Sequence, residues 1–268
     1  MRGDPAWRLL VDPPAAGAVQ MARDEALLAR AAGPVLRLYA WDPPCLSLGR
    51  VQPAQGAHDP DALAQLGFDL VRRPTGGRAV LHASERTYAV IGRLGVDPFP
   101  GGVLDTYRRI ARALQDGLRR LGLPAEAREP AGGAASPAGV PVCFDRAGDY
   151  EIAVGERKVV GSAQLRRRQG FLQHGSILRR AHPDLYAAAV GAPVDPGRLA
   201  GVDDLLGRTV PLEELDAALV AGFETAFEAR LVPSCLTASE RAEEARLLAV
   251  HRSAAWVREG RRPAATPA

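Results

Sequence analysis

A thiol and an amine lying 15 residues apart give the first suggestion of chemistry in this sequence. Cys143, in Pro141-Val142-Cys143-Phe144-Asp145, stands where a Gly- and Pro-rich stretch runs into β-like residues, and Lys158 follows across the turn that Gly155-Glu156 would make. An ammonium beside a thiol lowers its pKa from about 8.5 and raises the thiolate fraction at neutral pH, as a nucleophilic cysteine requires. Of the 34 basic residues only Lys158 is lysine, and a planar guanidinium that does not deprotonate cannot replace it as a compact charge of adjustable pKa. Each residue also has a plain alternative: a lone cysteine as a small buried hydrophobe, a lone lysine as a surface residue. Cys45 and Cys235 follow Pro-Pro and Pro-Ser and lack a charged neighbour of this kind.

Two further clusters stand out. In Arg72-Arg73-Pro74-Thr75-Gly76-Gly77-Arg78-Ala79-Val80-Leu81-His82, the paired glycines permit positive φ and close approach of a ligand to the backbone. A Gly-Gly hairpin flanked by solvated arginines would use the same residues, and His82 is either a ligand contact or a satisfied structural histidine. Lys158–Gln164 and Gln173–Ile177 place Ser162, Ala163 and Gly175 beside His174 on adjacent strands. Small residues there make a narrow slot suited to a linear apolar chain, or two ordinary strands with bulges. No second His, Cys or carboxylate stands at ligand spacing from His82, so no metal is expected.

The elements that must position these residues are legible in outline. Residues 18–31 have helix-forming composition, with Met21, Leu27 and Leu28 toward a core and Arg23, Asp24, Glu25 and Arg30 toward water. Strands follow at 35–41, 46–48, 68–72, 78–81 and 87–92, with a helix starting near Asp59-Pro60. Residues 102–121 carry Leu104, Tyr107, Ile110, Leu114, Leu118 and Leu121 at helical spacing. The stretch 126–141 reads as a mobile connection. Residues 150–154, 158–165 and 171–178 read as an antiparallel meander, and 211–230 and 238–259 as helices, the second capped near Thr237 or Ser239. The pattern predicts an α+β or mixed α/β class: one domain over 1–260, with its core at about 32–230, built on one sheet and followed by a frayed tail at 261–268.

Composition bounds the function. A chain of 268 residues with 47% hydrophobic and 24% charged residues is globular rather than disordered, and a net charge of +3 argues against nucleic-acid or membrane binding driven by electrostatics. Three cysteines cannot all pair within one chain, which suits a reducing compartment. The N-terminus lacks a signal-peptide apolar run, and no stretch approaches the roughly 18 apolar residues of a membrane span. The expected location is cytoplasmic.

Taken together, residues 17–28, 36–52, 71–91 and 143–178, with the helical C-terminus, resemble the biotin/lipoate protein ligase superfamily. Within it they are most similar to the cysteine-dependent octanoyltransferases of the LipM type. The resemblance implies a mixed β-sheet flanked by helices. It also implies a reaction without metal, cofactor or ATP: octanoyl passes from acyl carrier protein to a cysteine, then to a lysine of a lipoyl-domain protein such as glycine cleavage protein H. The nucleophile would correspond to Cys143 and the lysine that tunes it to Lys158. Arg73, Gly76, Gly77 and His82 would line the acyl and pantetheine channel, with Ser162, Ala163, His174 and Gly175 opposite, in a chain expected to be monomeric. Arg72, Arg73, Arg166, Arg167 and Arg168 would lie near the channel mouth, where they could steer acidic carriers.

Competing readings are an ATP-dependent lipoate ligase, an octanoyl amidotransferase between lipoyl domains, and a binding module without turnover. Adenylation needs no thiol, so Cys143 separates the first. The ligases of the superfamily typically carry a third glycine and a following His-Asp with Gly-Asn, whereas this chain has Arg78 and His82-Ala83-Ser84-Glu85. Ala83 also stands where an acidic residue is common among the octanoyltransferases.

Overall fold

The computed structural model describes residues 6–128, 151–168 and 170–263. Among these residues the chain begins with β1 (Ala6–Val11), which the sequence patterns above did not single out. It is followed by α1 (Gly17–Arg30), β2 (Val35–Tyr39) and β3 (Cys45–Leu48). Next come α2 (Pro60–Leu66), opened by the Asp59 side chain, which accepts from the Asp61 and Ala62 amides, then β4 (Asp69–Arg72), β5 (Val80–His82) and β6 (Glu85–Arg93). Helix α3 (Val103–Arg120) leads to the short β7 (Glu126–Ala127).

The meander is β8 (Ile152–Val154), β9 (Arg157–Arg166) and β10 (Gly170–Leu178). Helices α4 (Pro183–Val190), α5 (Val202–Leu206) and α6 (Leu212–Phe227) follow, then β11 (Arg230–Pro233). The predicted C-terminal helix is divided at Ser253 into α7 (Ala238–Arg252) and α8 (Ala254–Glu259). Ser253 leaves helical geometry at ψ 138° and caps the second piece through its hydroxyl. The opening cap is a capping box in which Thr237 accepts from the Glu240 amide while Glu240 accepts from that of Thr237.

The strands form two sheets where the patterns predicted one. The larger is mixed, in the order β11-β1-β2-β6-β10-β9-β8-β7, with β11, β1 and β2 parallel and the remaining pairs antiparallel. The smaller has the order β4-β3-β5. Its central strand pairs in parallel with β4 and antiparallel with β5, so β4 and β5 are not neighbours and the Gly76-Gly77 segment joins them across β3. It is therefore a crossing connection rather than a hairpin.

One face of the large sheet carries Leu36, Leu38, Val90, Phe171 and Ile177 and packs on Ile110, Leu114, Leu219 and Phe223 of α3 and α6. Leu104, assigned to that apolar face, sits at the first turn of α3 and remains 48% exposed. The opposite face carries Val35, Ala89, Ile91 and Leu172 against Leu27 of α1. The small sheet turns Leu46, Leu48 and Leu81 toward Leu63 of α2 and Tyr186 of α4. Its other face, with Cys45, Ser47, Val80 and His82, looks toward the large sheet and α1.

Helices α3 and α6 meet at glycines. A Cβ on Gly222 would lie 2.3 Å from the Ala113 carbonyl oxygen and 2.6 Å from the Gly117 nitrogen. Alanine improves intrinsic helix propensity by about 1 kcal/mol, but an overpacked contact with backbone, which cannot rotate aside, costs about 1–3 kcal/mol. The clash wins. Gly222→Ala is expected to lower the urea unfolding midpoint with little change in slope; a raised midpoint would show that the crossing can open without loss.

Candidate active site

The site is assembled between the two sheets and over the start of α1. That helix comes close because its first residue has no side chain: a Cβ on Gly17 would stand 2.7 Å from Val71 Cγ1 and 2.8 Å from Cys45 Sγ. Strand β2 contributes Arg37, a charge inside the wholly buried run Val35–Tyr39. A buried guanidinium needs anionic partners. Arg37 finds Asp24 Oδ1 at 2.6 Å and Asp12 Oδ2 at 2.6 Å, with Gln20 also in contact. Asp24 and Glu25, assigned above to the water-facing side of the first helix, are both buried; for Asp24 the signal that could have found it is the arginine within an apolar strand, whereas Glu25 is paired with His251, Arg167 and Arg262.

Asp24 organises one side of the site. Its Oδ2 accepts from Tyr39 Oη at 2.8 Å and from His174 Nδ1 at 2.9 Å. With Nδ1 donating to a carboxylate, His174 Nε2 is the acceptor for Thr75 Oγ1, at 2.7 Å. Burial alone would raise the Asp24 carboxyl, yet the Arg37 charge and the bonds from His174 and Tyr39 hold it below the ordinary carboxylate range. Burial lowers the His174 imidazole more than Asp24 raises it, which keeps the ring neutral.

A second hydrogen-bonded line faces it from the small sheet. Ser47 Oγ lies 2.8 Å from His82 Nε2, and His82 Nδ1 lies 2.6 Å from Glu85 Oε1. The His82 ring is stacked on Trp41 at 4.0 Å and 18°, and Trp41 Nε1 donates to Thr87 Oγ1 at 2.8 Å. Arg73 is spent on the protein itself: its guanidinium donates to the carbonyls of Ser47, Gly76 and Arg78 at 2.7–3.2 Å.

Between these lines runs a narrow cleft bounded by Met21, Tyr39, Trp41 and Val80 along its apolar side. The structure brings Arg73, His82, Ser162, Ala163, His174 and Gly175 to this one cleft. Gly76 and Gly77 lie outside its lining. Gly77, at φ 91°, instead lets its loop press against the chain at Gly49, where a Cβ would come 1.8 Å from the Gly77 oxygen. Ser162 contributes backbone to the cleft, because its hydroxyl bonds Tyr88 Oη at 2.7 Å on the sheet's other face. A Cβ on Gly175 would meet the Gly161 oxygen at 2.4 Å and the Tyr88 ring at 2.6 Å, so glycine there keeps strands β9 and β10 and the Tyr88 ring closely packed. Ser47, Thr75, Asp24, Glu85 and Ser176 carry no motif by themselves and were not found by sequence reasoning.

Lys158 is buried at the start of β9, its Nζ in contact with Glu151 Oε1 and its backbone carbonyl bonded to the Ala200 amide at 3.1 Å. It lies outside the cleft lining. Cys143 lies outside the described residues. Cys45 is a buried thiol pushed well up by burial, as suits a packing residue, and Cys235 is exposed. Arg72 is buried rather than at a channel mouth, donating to the carbonyls of Gly49 and Gln52 at 2.6 Å and of Trp256 at 2.9 Å. Arg167 pairs with Glu25, and Arg166 bonds Gln164 at 2.8 Å and Thr106 at 3.1 Å. Arg262, within the tail, also pairs with Glu25. Among the described residues no cluster of three metal-ligating side chains occurs, and no helix is long and apolar enough to cross a membrane.

A mixed sheet with a small second sheet closing an apolar cleft over it is the architecture of the biotin/lipoate ligase fold. The profile of the lipoyl protein ligase A/B catalytic domain matches residues 16–224, and the chain belongs to this family. It is 41% identical to octanoyltransferase LipM of Kyrpidia tusciae, over 93% of this chain and 97% of the relative. It is 37% identical to that of Moorella thermoacetica, over 94% and 97%. Among solved structures, lipoate-protein ligase A bound with ATP superimposes with a TM-score of 0.81 at 25% identity, covering 94% of this chain and 98% of the other. The bi-partite lipoate protein ligase of Thermoplasma acidophilum gives 0.80 at 23%, covering 98% and 100%, and shows the shared fold. The protein is an acyltransferase of the LipM class and acts in octanoyl transfer for lipoate biosynthesis.

The buried acids and histidine fix how stability responds to pH. His174, with its folded pKa depressed below the ordinary 6.5, contributes in full above that value and progressively less as pH falls toward the folded value. Burial would raise Glu25, but bonds from His251 and Arg262 and the Arg262 charge bring it down to about 2, so its contribution is present above about 4.5 and lost as pH falls toward 2. Denaturant midpoints are expected to fall in two stages, first below pH 6.5 and then below pH 4.5, and His174→Gln is expected to flatten the first stage. An unchanged first stage in that variant would assign it to another group.

Proposed function

We propose that the chain takes octanoyl from octanoyl-acyl carrier protein onto Cys143 as a thioester and passes it to the lysine amine of a lipoyl-domain protein such as glycine cleavage protein H. The observation that carries this reading is the chemistry of the cleft. Its polar walls are bonded to one another, Ser47 with His82, His82 with Glu85, Trp41 with Thr87 and Thr75 with His174, so a ligand meets ring faces and methylenes rather than unmet donors. An alkyl chain fits such walls, because displacing a polar ligand's hydration there would go uncompensated. Arg73, Gly76, Gly77, His82, Ser162, Ala163, His174 and Gly175 are assigned to the substrate in this reading, Gly76 through the carbonyl that holds Arg73 and Gly77 through the turn of the same loop.

Lys158 is assigned to lowering the Cys143 pKa. Its burial beside Glu151 supports a fixed rather than a freely moving ammonium, and a buried charged pair of this kind is sensitive to changes of shape. Exchange of one thioester for another is nearly balanced and the final amide is favoured over the thioester, so no ATP enters. Acceptors that are lipoyl domains accord with the structural likeness to a ligase solved with its E2 lipoyl domain.

Intact-mass analysis after mixing the chain with octanoyl-acyl carrier protein, without ATP, is expected to show one octanoyl adduct that neutral hydroxylamine removes and that Cys143→Ala lacks. An adduct of equal yield in Cys143→Ala would overturn the thioester mechanism. Labelling of a lipoyl domain only when ATP and free acid are added would point instead to the ligase reading. Lys158→Arg is expected to slow loading on the order of 10²-fold, since it keeps the charge but not the compact geometry; the rate of single-turnover loading checks this.

A further inference from the structure

Most of the large side chains that bound the apolar cleft cannot move without breaking a hydrogen bond. Tyr39 is tied through its hydroxyl to Asp24, Trp41 through its indole N–H to Thr87, and the His82 and His174 rings at both nitrogens. Arg73 is held by the carbonyls of Ser47, Gly76 and Arg78. Met21 differs. It reaches the cleft from α1 with a long unbranched side chain and no strong donor or acceptor, so packing alone sets where its methyl end rests. Cys45 and Val71 form one apolar cluster with it outside the cleft lining, and all three residues are at most 3% exposed.

The sequence of α1 explains how Met21 comes to stand there. Gly17 lies four residues earlier, one turn back on the same face of the helix. Because a Cβ at Gly17 would collide with Val71 Cγ1 and Cys45 Sγ, glycine lets the helix press on β3 and β4 and carries Met21 in after it. The cleft is therefore closed and apolar where Met21 stands. A carbonyl would meet no donor at that place, and the Asp24 carboxylate one turn further on has both oxygens engaged by Arg37, Tyr39 and His174. The methyl end of an alkyl chain loses nothing there and gains the burial. This end of the cleft is defined by α1, β3 and β4, whatever stands at the other.

We propose that Met21 is the stop against which the methyl end of the acyl chain comes to rest, so that its size sets which chain lengths the cleft accepts. This rests on the reading of the cleft as the acyl site given above. Each methylene that finds room gains about fourfold in affinity, and one forced against packed side chains loses by overpacking. A thioether with several rotatable bonds makes a soft stop, which grades neighbouring lengths rather than excluding them outright. The ring walls, fixed by their hydrogen bonds, then set the width of the slot, and Met21 sets its depth. Met21 is a specificity-determining residue in this role; it touches the tail of the substrate and not the reacting atoms.

The test measures binding alone and so does not depend on the thiol. Hexanoyl, octanoyl and decanoyl thioesters of N-acetylcysteamine are titrated by calorimetry into the full chain carrying Cys143→Ala. In that background affinity is expected to rise from six carbons to eight and to fall at ten. Adding Met21→Ala, which removes roughly two methylenes of reach, is expected to move the optimum to ten carbons and to raise the decanoyl-to-octanoyl affinity ratio on the order of 10-fold. Adding Met21→Phe is expected to move the optimum to six. Cys45→Ala takes one atom from the cluster that supports Met21 and leaves the cleft lining intact, so it keeps the test open if the larger changes disturb folding; it is expected to shift the ratio a few-fold in the direction of Met21→Ala. A uniform loss at all three lengths, or an unchanged ratio in every variant, would overturn the stop and leave Met21 a packing residue. Absence of binding of all three thioesters to the chain that retains Met21 would overturn the acyl reading of the cleft, and the stop with it.

Discussion

The site depends on a carboxylate that has no access to water. Asp24 in α1 is wholly buried, and an isolated ionised acid in such a place would be far too costly to keep. It persists because Arg37 from β2, Tyr39 from the same strand and His174 from β10 converge on its two oxygens. This fixes α1 against the large sheet at the distance the cleft requires. Through His174 and Thr75 it also reaches the loop after β4, so the same charge sets the separation of the two sheets. Removing one partner from such a set typically costs about 3–5 kcal/mol, because the others are left charged and dry.

Around that anchor the polar side chains of the cleft satisfy one another, and this gives the space its character. Ser47, His82, Glu85, Thr87 and Ser176 form one bonded group, and Thr75, His174 and Asp24 another. A pocket rich in polar residues can thus receive an alkyl chain, since its donors and acceptors are already engaged. Glycines complete the effect by letting backbones approach where a methyl group could not stand, as at Gly175 beside Gly161 and at Gly49 against Gly77.

The C-terminal helices add a clamp from outside. Arg72 donates to carbonyls of the loop at 49–52 and of α8, while Trp256 Nε1 donates back to the Arg72 carbonyl at 2.9 Å. A guanidinium surrounded by carbonyls, with its five donors in a fixed fork, ties β4, that loop and the last helix together. Neighbouring arginines in one motif therefore serve two ends: Arg72 holds the clamp, and Arg73 holds the loop that frames the cleft.

Local sequence was enough for what local physics controls. The 3.6-residue period of Ile110, Leu114 and Leu118 determined α3, Gly155-Glu156 turned β8 into β9, and the cap at Thr237 opened α7. The resemblance of whole blocks of sequence to a family, rather than those regularities, pointed to six residues that share one cleft. Pairing across the chain was beyond their reach. Strands β1 and β11 pair in parallel from positions more than two hundred residues apart, which no local pattern encodes. The second sheet exists because β4 and β5 both choose β3, which no turn signal between them encodes. Asp24 reads as a solvated helix residue until Arg37 and His174 are brought to it, and Glu85 reads as an ordinary strand residue until His82 and Ser176 close on it. The reason is the same in each case: a buried charge or a hydrogen-bonded relay is defined by partners distant in sequence, and only the folded chain supplies them.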